Sequence, residues 1–463
     1  MEKQELRAVG SLAAVFSVRL LGLFMIYPVF ADYARQLAGA TSFKIGLALG
    51  IYGLSQGLLQ IPFGLLSDRV GRKLMIVIGL ILFGAGSAVA AASSTIDGVI
   101  VGRVVQGAGA VGSVILALVA DLTGEESRTK AMAIVGLTIG GSFMLALVTG
   151  PVLSGLVGVA GIFWTMVALA LVGIAITLFI VPRPLVLAVH RDAETVPSLL
   201  RSIIRNTELR RLDFGVFALH AMLTASFLRV PALLRSSLDV DSRHQWMVYL
   251  PVLLVSVAVM VPAIIVAEKH RRMKTVFVAA VACLALSQCL FLAGSGAIST
   301  IAAITVFFAG FNVMEASLPS LVTKTAPPAA KGTAAGIFST SQFLGIFVGG
   351  VCGGWMLPKM GGDAVFVASL GLALIWLVVA ATMKPPSYLT TKLLRISEAA
   401  PADGAELAAR LRRVPGVHEA VVISQERLAY LKVDSRSYDA ALARSVVAAA
   451  VQPAAGAADL SIL

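Results

Sequence analysis

Gly64-Leu65-Leu66-Ser67-Asp68-Arg69-Val70-Gly71-Arg72-Lys73 is the stretch from which the fold can be read. It lies between two apolar segments, 44–66 and 74–95, each long enough to cross a bilayer. Arg69, Arg72 and Lys73 alone would make an ordinary basic turn on the inner side of a membrane. The other positions ask for more. Gly64 lets a second helix come close, and Gly71 permits a sharp reversal between spans. Asp68 stands four residues before Arg72, the spacing of a helical ion pair, and can also face the positive end of a neighbouring helix.

The rest of the chain has the composition this turn demands. Of 463 residues, 58% are hydrophobic and only 13% charged, about half the charged share of a soluble domain. That excludes an ordinary cytosolic enzyme, a disordered chain and a collagen-like one. The apolar runs are far longer than the roughly ten-residue alternating strands of an outer-membrane barrel. Twelve apolar segments are expected as spans, near 9–31, 44–66, 74–95, 98–120, 131–155, 161–181, 212–234, 246–267, 274–294, 298–322, 333–357 and 363–383. The first is read as an uncleaved span, since its apolar run is too long for a signal peptide. Cys283, Cys289 and Cys352 lie in apolar runs without metal-ligand spacing and are expected to be small buried hydrophobes.

With the N-terminus inside, the connecting segments on that side carry 20 Lys and Arg, against 6 on the other. This bias predicts both termini in the cytoplasm. It also accounts for the net charge of +12 through topology and anionic lipid, without nucleic acid. Residues 183–211 form the expected linker between two halves, 1–182 and 212–386, with an amphipathic helix around Leu199, Leu200, Ile203 and Ile204. An internal repeat supports the division. Ile61-Pro62-Phe63, Asp68-Arg69 and Arg72 return 200 residues later as Val261-Pro262-Ala263, Glu268-Lys269 and Arg272. The expected fold class is therefore an all-α polytopic membrane protein of twelve helices in two six-helix halves, with any substrate site at the repeat interface.

Residues 388–463 change character. Strand 392–396, helix 405–411, strands 417–423 and 427–433, helix 438–449 and a weak strand 459–463 give a pattern that resembles a ferredoxin-like α+β module. The tail carries nearly zero net charge, so only weak docking onto the membrane part is expected.

The opening decapeptide matches G-x-x-x-D-R-x-G-R-K, motif A of the major facilitator transporters, at every defined position. Arg103-Val-Val-Gln106-Gly107 resembles their motif B. Gly150-Pro151-Val-Leu-Ser-Gly155 resembles motif C, which the family associates with antiporters; of its longer glycine pattern, Gly136, Gly140 and Gly141 are present out of full register. Ile51–Gln56, Gln60–Asp68, Glu315-Ala-Ser-Leu-Pro-Ser320, Lys331-Gly-Thr-Ala334 and Ser339-Thr-Ser-Gln-Phe-Leu-Gly345 are similar to the YajR-type members, which carry a C-terminal ferredoxin-like domain. The resemblance implies a proton-coupled, drug-antiporter-like exporter of the bacterial inner membrane, with a gate at Gly64, Asp68, Arg69, Gly71, Arg72, Lys73 and Asp121. It leaves the substrate open.

From the residues themselves, Arg19, His220 and Glu315 lie at similar depth in spans 1, 7 and 10, roughly 10–17 Å from the inner ends. Buried ionisable groups in a bilayer mark proton or substrate paths, so these three, with Arg103 and Gln106, are the expected coupling site. The expected partners are a small-molecule substrate, protons and lipid, with no nucleic acid, no cofactor, no metal and a monomeric chain. A uniporter, a sugar or lipid carrier, and a membrane sensor with the tail as output remain alternatives. No G-x-x-x-x-G-K-[ST] occurs, which disfavours an ATP-driven pump, and the G-x-S-x-G match at Gly53-Leu54-Ser55-Gln56-Gly57 lies inside an apolar span rather than at a strand-to-helix turn, which disfavours a hydrolase.

Overall fold

The computed structural model describes residues 3–182, 199–294, 296–327, 330–384, 389–396, 404–423, 427–434 and 436–449. Most of the linker, the 385–388 connection and the strand expected at 459–463 lie outside the described residues.

Among the described residues, ten helices are long and apolar enough to cross a membrane. One of them, Lys130–Ile180, has 51 residues, about 75 Å of helix and more than twice the hydrocarbon thickness. Gly158, at φ +71°, breaks it into spans 5 and 6. The pair Thr207–Phe227 and Val230–Leu238, bent by 46°, forms span 7. With these two the count reaches twelve. The others are span 1 (Lys3–Phe24 and Tyr27–Ala34), span 2 (Ser42–Val70), span 3 (Arg72–Ala92) and span 4 (Ile96–Ala108 and Gly112–Asp121). Then follow span 8 (Trp246–Lys269), span 9 (Met273–Ala293), span 10 (Ala297–Thr325), span 11 (Lys331–Met360) and span 12 (Ala364–Ala381).

Three spans read as continuous are broken, span 4 at residues 109–111 and spans 1 and 7 ahead of a proline. Span 1 breaks at Met25-Ile26, just before Pro28, and span 7 at Leu228-Arg229, just before Pro231. Proline has no N–H for the preceding turn and clashes with its carbonyl, so each helix restarts with proline in its first turn. Span 7 also begins at Thr207 rather than 212, because Asn206 caps it by accepting from the Glu208 and Leu209 amides. Leu200–Arg205 forms the short linker helix, with Ile203 buried.

The halves meet tightly at the end away from the Gly71 turn. A Cβ on Gly46 would overlap the Gly350 carbonyl, and one on Gly50 would sit 2.7 Å from the Phe347 carbonyl. Spans 2 and 11 therefore touch backbone to backbone, which only small residues allow. Asp32 pairs with Arg235 and accepts from Ser242 at 2.6 Å across the same seam. Toward the basic end the two spans part. Gln60, Gly64 and Asp68 on one side and Gly332, Ala335, Gly336 and Ser339 on the other line a cleft of about 40 Å³, and the first half has its own separate core there. Gly46→Val should wedge the seam open by about 1–3 kcal/mol. Cysteines at positions 32 and 235 should then cross-link about tenfold more slowly than with Gly46 intact.

The cysteines correct an expectation. Cys283 is half-buried, but Cys289 and Cys352 are exposed, beside exposed Leu286 and Trp355. A membrane bundle is apolar outside as well as inside, so an apolar run does not say which face a residue takes.

The tail is a small α+β unit: β1 (Thr390–Arg395), helix Gly404–Leu411, β2 (Val417–Ile423), β3 (Leu428–Val433) and helix Ala440–Ala449. The sheet order is β1-β3-β2, all antiparallel, an order compatible with a ferredoxin-like sheet. Leu407, Leu411, Ala429, Leu431 and Ala443 form its core.

Polar contacts join this unit to the membrane part. Lys432 Nζ donates to the Lys324 carbonyl at the end of span 10 (3.1 Å), and Arg271 Nη2 donates to Asp434 Oδ1 (3.1 Å). The Arg436 amide, and then Arg271, hold the Asp434 carboxyl below its ordinary value. This contribution to docking is present above the usual aspartate pKa of about 4 and is lost as pH falls through the lowered value. Asp434→Lys should loosen the tail at neutral pH, read as faster proteolysis of the 385–388 connection.

Candidate functional site

Two buried polar clusters face the region between the halves. In the first, Arg19 of span 1 donates through Nη2 to Gln56 Oε1 of span 2 at 2.6 Å. Arg103 of span 4 donates to the Ala48 carbonyl (3.2 Å) and to Gln106 Oε1 (2.9 Å), and its guanidinium lies over the Tyr52 ring at 4.6 Å. Gln106 in turn donates to Ser87 Oγ at 2.6 Å. Arg19 is 4% exposed and Arg103 0%. A guanidinium keeps its charge, so each needs these oxygens and the aromatic face.

The second cluster belongs to the other half. His220 Nδ1 lies 3.1 Å from the Val216 carbonyl, which can only accept, so Nδ1 carries the proton. In the neutral ring Nε2 is then an acceptor, matched by the Gln342 amide at 2.8 Å. Glu315 Oε2 stands 3.6 Å from the same Nε2. The Glu315 side chain is 24% exposed while His220 is 1%, so the carboxylate is the more open member of the pair. The Phe311 ring closes the other side of the imidazole, centroids 5.8 Å apart.

The clusters share a level in the bundle. Thr340 Oγ1 of span 11 reaches the Gly57 carbonyl of span 2 at 3.5 Å, and Gln56 and Gln342 lie one and two residues from that contact. Farther from the basic end, Tyr27 and Thr224 bond across the halves at 3.3 Å. Thr224 donates to the His220 carbonyl one turn below. Phe143 stacks on Phe311 at 5.2 Å and Tyr27 packs edge-on to Phe227 at 5.5 Å, closing the space above.

Arg19, His220 and Glu315 were expected together. His220 and Glu315 do meet, but Arg19 is bonded to Gln56 in the other half. Equal depth fixes height along a helix, not the direction a side chain takes around it. Gln56, Tyr52, Ser87, Tyr27, Thr224 and Gln342 were not singled out as site residues, although Gln56 and Gln342 stand inside stretches whose likeness was noted.

At the basic end the decapeptide folds around Arg72, whose side chain is 2% exposed. Arg72 pairs with Asp68, donates to Ser67 Oγ (3.0 Å) and binds Asp121 Oδ2 of span 4 (2.8 Å). Gly71, at φ +105°, makes the turn between spans 2 and 3. Gly64 faces Ser113 of span 4. Lys73 Nζ donates to the Val181 carbonyl at 2.7 Å, the end of span 6. Arg69 is exposed. In span 5, a Cβ on Gly150 would overlap the Met25 carbonyl at the break of span 1, Pro151 follows it, and Gly155 lies against Arg243. Gly136, Gly140 and Gly141 have open space around them.

Comparison with known proteins gives one family. The model of the Major Facilitator Superfamily matches residues 12–350 and 214–424. The chain is 42% identical over 437 residues to the inner membrane transport protein YajR of Escherichia coli K12, spanning 94% of this chain and 96% of that one. It is 33% identical over 138 residues to the quinolone resistance protein NorA of Staphylococcus aureus, covering 29% of this chain and 34% of that one. A bacterial homologue of the human lysosomal transporter Spinster has the same fold, with a TM-score of 0.66 at 12% identity over 82% of this chain and 97% of that one.

Proposed function

The chain belongs to the Major Facilitator Superfamily and is a multi-pass membrane transporter, not an enzyme, and from that premise we propose that it is a proton-coupled antiporter exporting small drug-like molecules across a bacterial inner membrane. The observation that carries this reading is the Glu315–His220 pair, 3.6 Å apart in the space between the halves. A carboxylate there is stable charged only while wet; when the space dehydrates, protonation is the less costly state. His220, with Nε2 turned to Gln342 and Glu315, can share the proton once Gln342 rotates away. Binding and release of that proton, in turn with substrate, couples the two flows.

The basic end is the cytoplasmic end in this reading. Arg72 holds Asp68 and Asp121 together, and the start of span 11 lines the other wall of the adjoining cleft. In the opposite, outward-open state Asp68 is the group that meets span 11, and the cluster acts as a lock. Gly150-Pro151 lets span 5 press on the break in span 1 and keeps the route beside it closed. The drug-like substrate rests on the partial likeness to NorA and on the aromatic wall of Phe143, Phe311 and Phe227. Purified protein in liposomes with an imposed pH gradient tests the coupling: export-direction flux should follow the gradient and vanish with a protonophore. Equal flux with and without the gradient would mean a uniporter.

A further inference from the structure

We propose that the substrate is an organic anion whose acidic head binds at Arg19, with Arg103 behind it supplying field and position; this takes the transport reading above as its premise and names the substrate class.

The first-half cluster holds two permanent cations and, among the described residues, neither has a carboxylate within 4 Å. Arg19 is bonded to an amide oxygen and interacts with the Tyr52 side chain, and Arg103 is bonded to an amide oxygen and a backbone carbonyl and lies over a ring face. Each also keeps a buried donor with no acceptor, Nε of Arg19 and Nη2 of Arg103. A buried cation left without a counter-charge is costly, and an unmade bond from a charged donor adds to that cost. Elsewhere the same molecule pairs its buried cation fully, as Arg72 does with Asp68 and Asp121. The unmatched charge in the first half therefore suits an anion, and a planar carboxylate matches the fork of a guanidinium.

Access and orientation fit. Arg19 retains 4% exposure where Arg103 has none, so Arg19 makes the contact. Arg19 precedes Tyr27 by eight residues and His220 precedes Thr224 by four. The Tyr27–Thr224 bond is thus above both, on the sealed side. His220 then lies about 6 Å below that bond, and Arg19 lies on the same side of it, beyond the break in span 1. An anion held at Arg19 leaves its apolar body toward the Phe311 side, next to Glu315.

The test uses probes matched in shape and opposite in charge: 2-naphthoate, with benzoate and octanoate as further anions, against trimethyl-(2-naphthyl)ammonium. Binding to the purified full chain is read by thermal stabilisation over a ligand series, which needs no proton gradient. At least one anion should stabilise saturably and the ammonium should not. Arg19→Gln should weaken anion binding by about tenfold or more. Arg19→Lys, which keeps the charge without the fork, should weaken it less, and it reads the same question if Arg19→Gln does not insert. Stabilisation by the ammonium alone, by none of the probes, or equally in both Arg19 variants and the parent overturns the proposal. Anion binding with gradient-independent flux would leave the substrate class standing and remove proton coupling; gradient-driven flux of the ammonium alone would do the reverse.

Discussion

Glu315→Gln should abolish pH-gradient-driven transport, by on the order of 100-fold or more, in a protein that still inserts and folds. Gln has nearly the shape of Glu and cannot carry a titrating proton. The side chain is 24% exposed, so the change leaves no deeply buried group stranded. The imidazole keeps its bonds to the Val216 carbonyl and the Gln342 amide, so local structure should hold. Flux down a substrate gradient alone should survive, because the lost function is the exchange of the proton and not the path. The measurement is flux in liposomes with and without the pH gradient, beside a melting curve. Unaltered gradient dependence in this variant would remove Glu315 from the mechanism. Glu315→Asp should retain part of the coupling, since it shortens the reach to His220 without losing the proton site.

Arg72→Met carries the second large effect, and it falls on stability. Arg72 is 2% exposed and Asp121 0%. Met fills much of the space but removes the countercharge of Asp121 together with the partner of Asp68. Breaking one side of a buried pair costs about 3–5 kcal/mol, so the variant should melt well below the parent in detergent. Combining it with Asp121→Asn should recover a good part of the loss, because an uncharged amide is much cheaper to bury than a carboxylate. A single variant within about 1 kcal/mol of the parent, or no recovery in the double, would show that the cluster does not hold the basic end together. Arg69→Met serves as the contrast: Arg69 is exposed, and its loss should hardly move the melting curve.

The tail shows how far composition carries an argument. Its strands and helices were legible because alternation and turn residues are local signals. Where it touches the membrane part was not, because Lys432 and Asp434 act at single points, on Lys324 and Arg271, which a summed charge does not locate.

The amino-acid sequence by itself determined the membrane class, the two-half repeat and the Gly71 turn with its Asp68–Arg72 pair. All follow from composition, length and near-neighbour spacing. It also put Arg19, His220 and Glu315 inside the spans, because rise per residue is constant in a helix. Tertiary structure alone decided which of them meet. Arg72 finds Asp121 across 49 positions, Arg19 finds Gln56 across 37, and His220 finds Gln342 across 122. It also decided that Cys289 and Cys352 face outward and that prolines 28 and 231 split their spans. The physical reason is that lipid and core are both apolar. Hydrophobic periodicity, which in water tells inside from outside, gives height in a bilayer but leaves the rotation of each helix to close packing between neighbours.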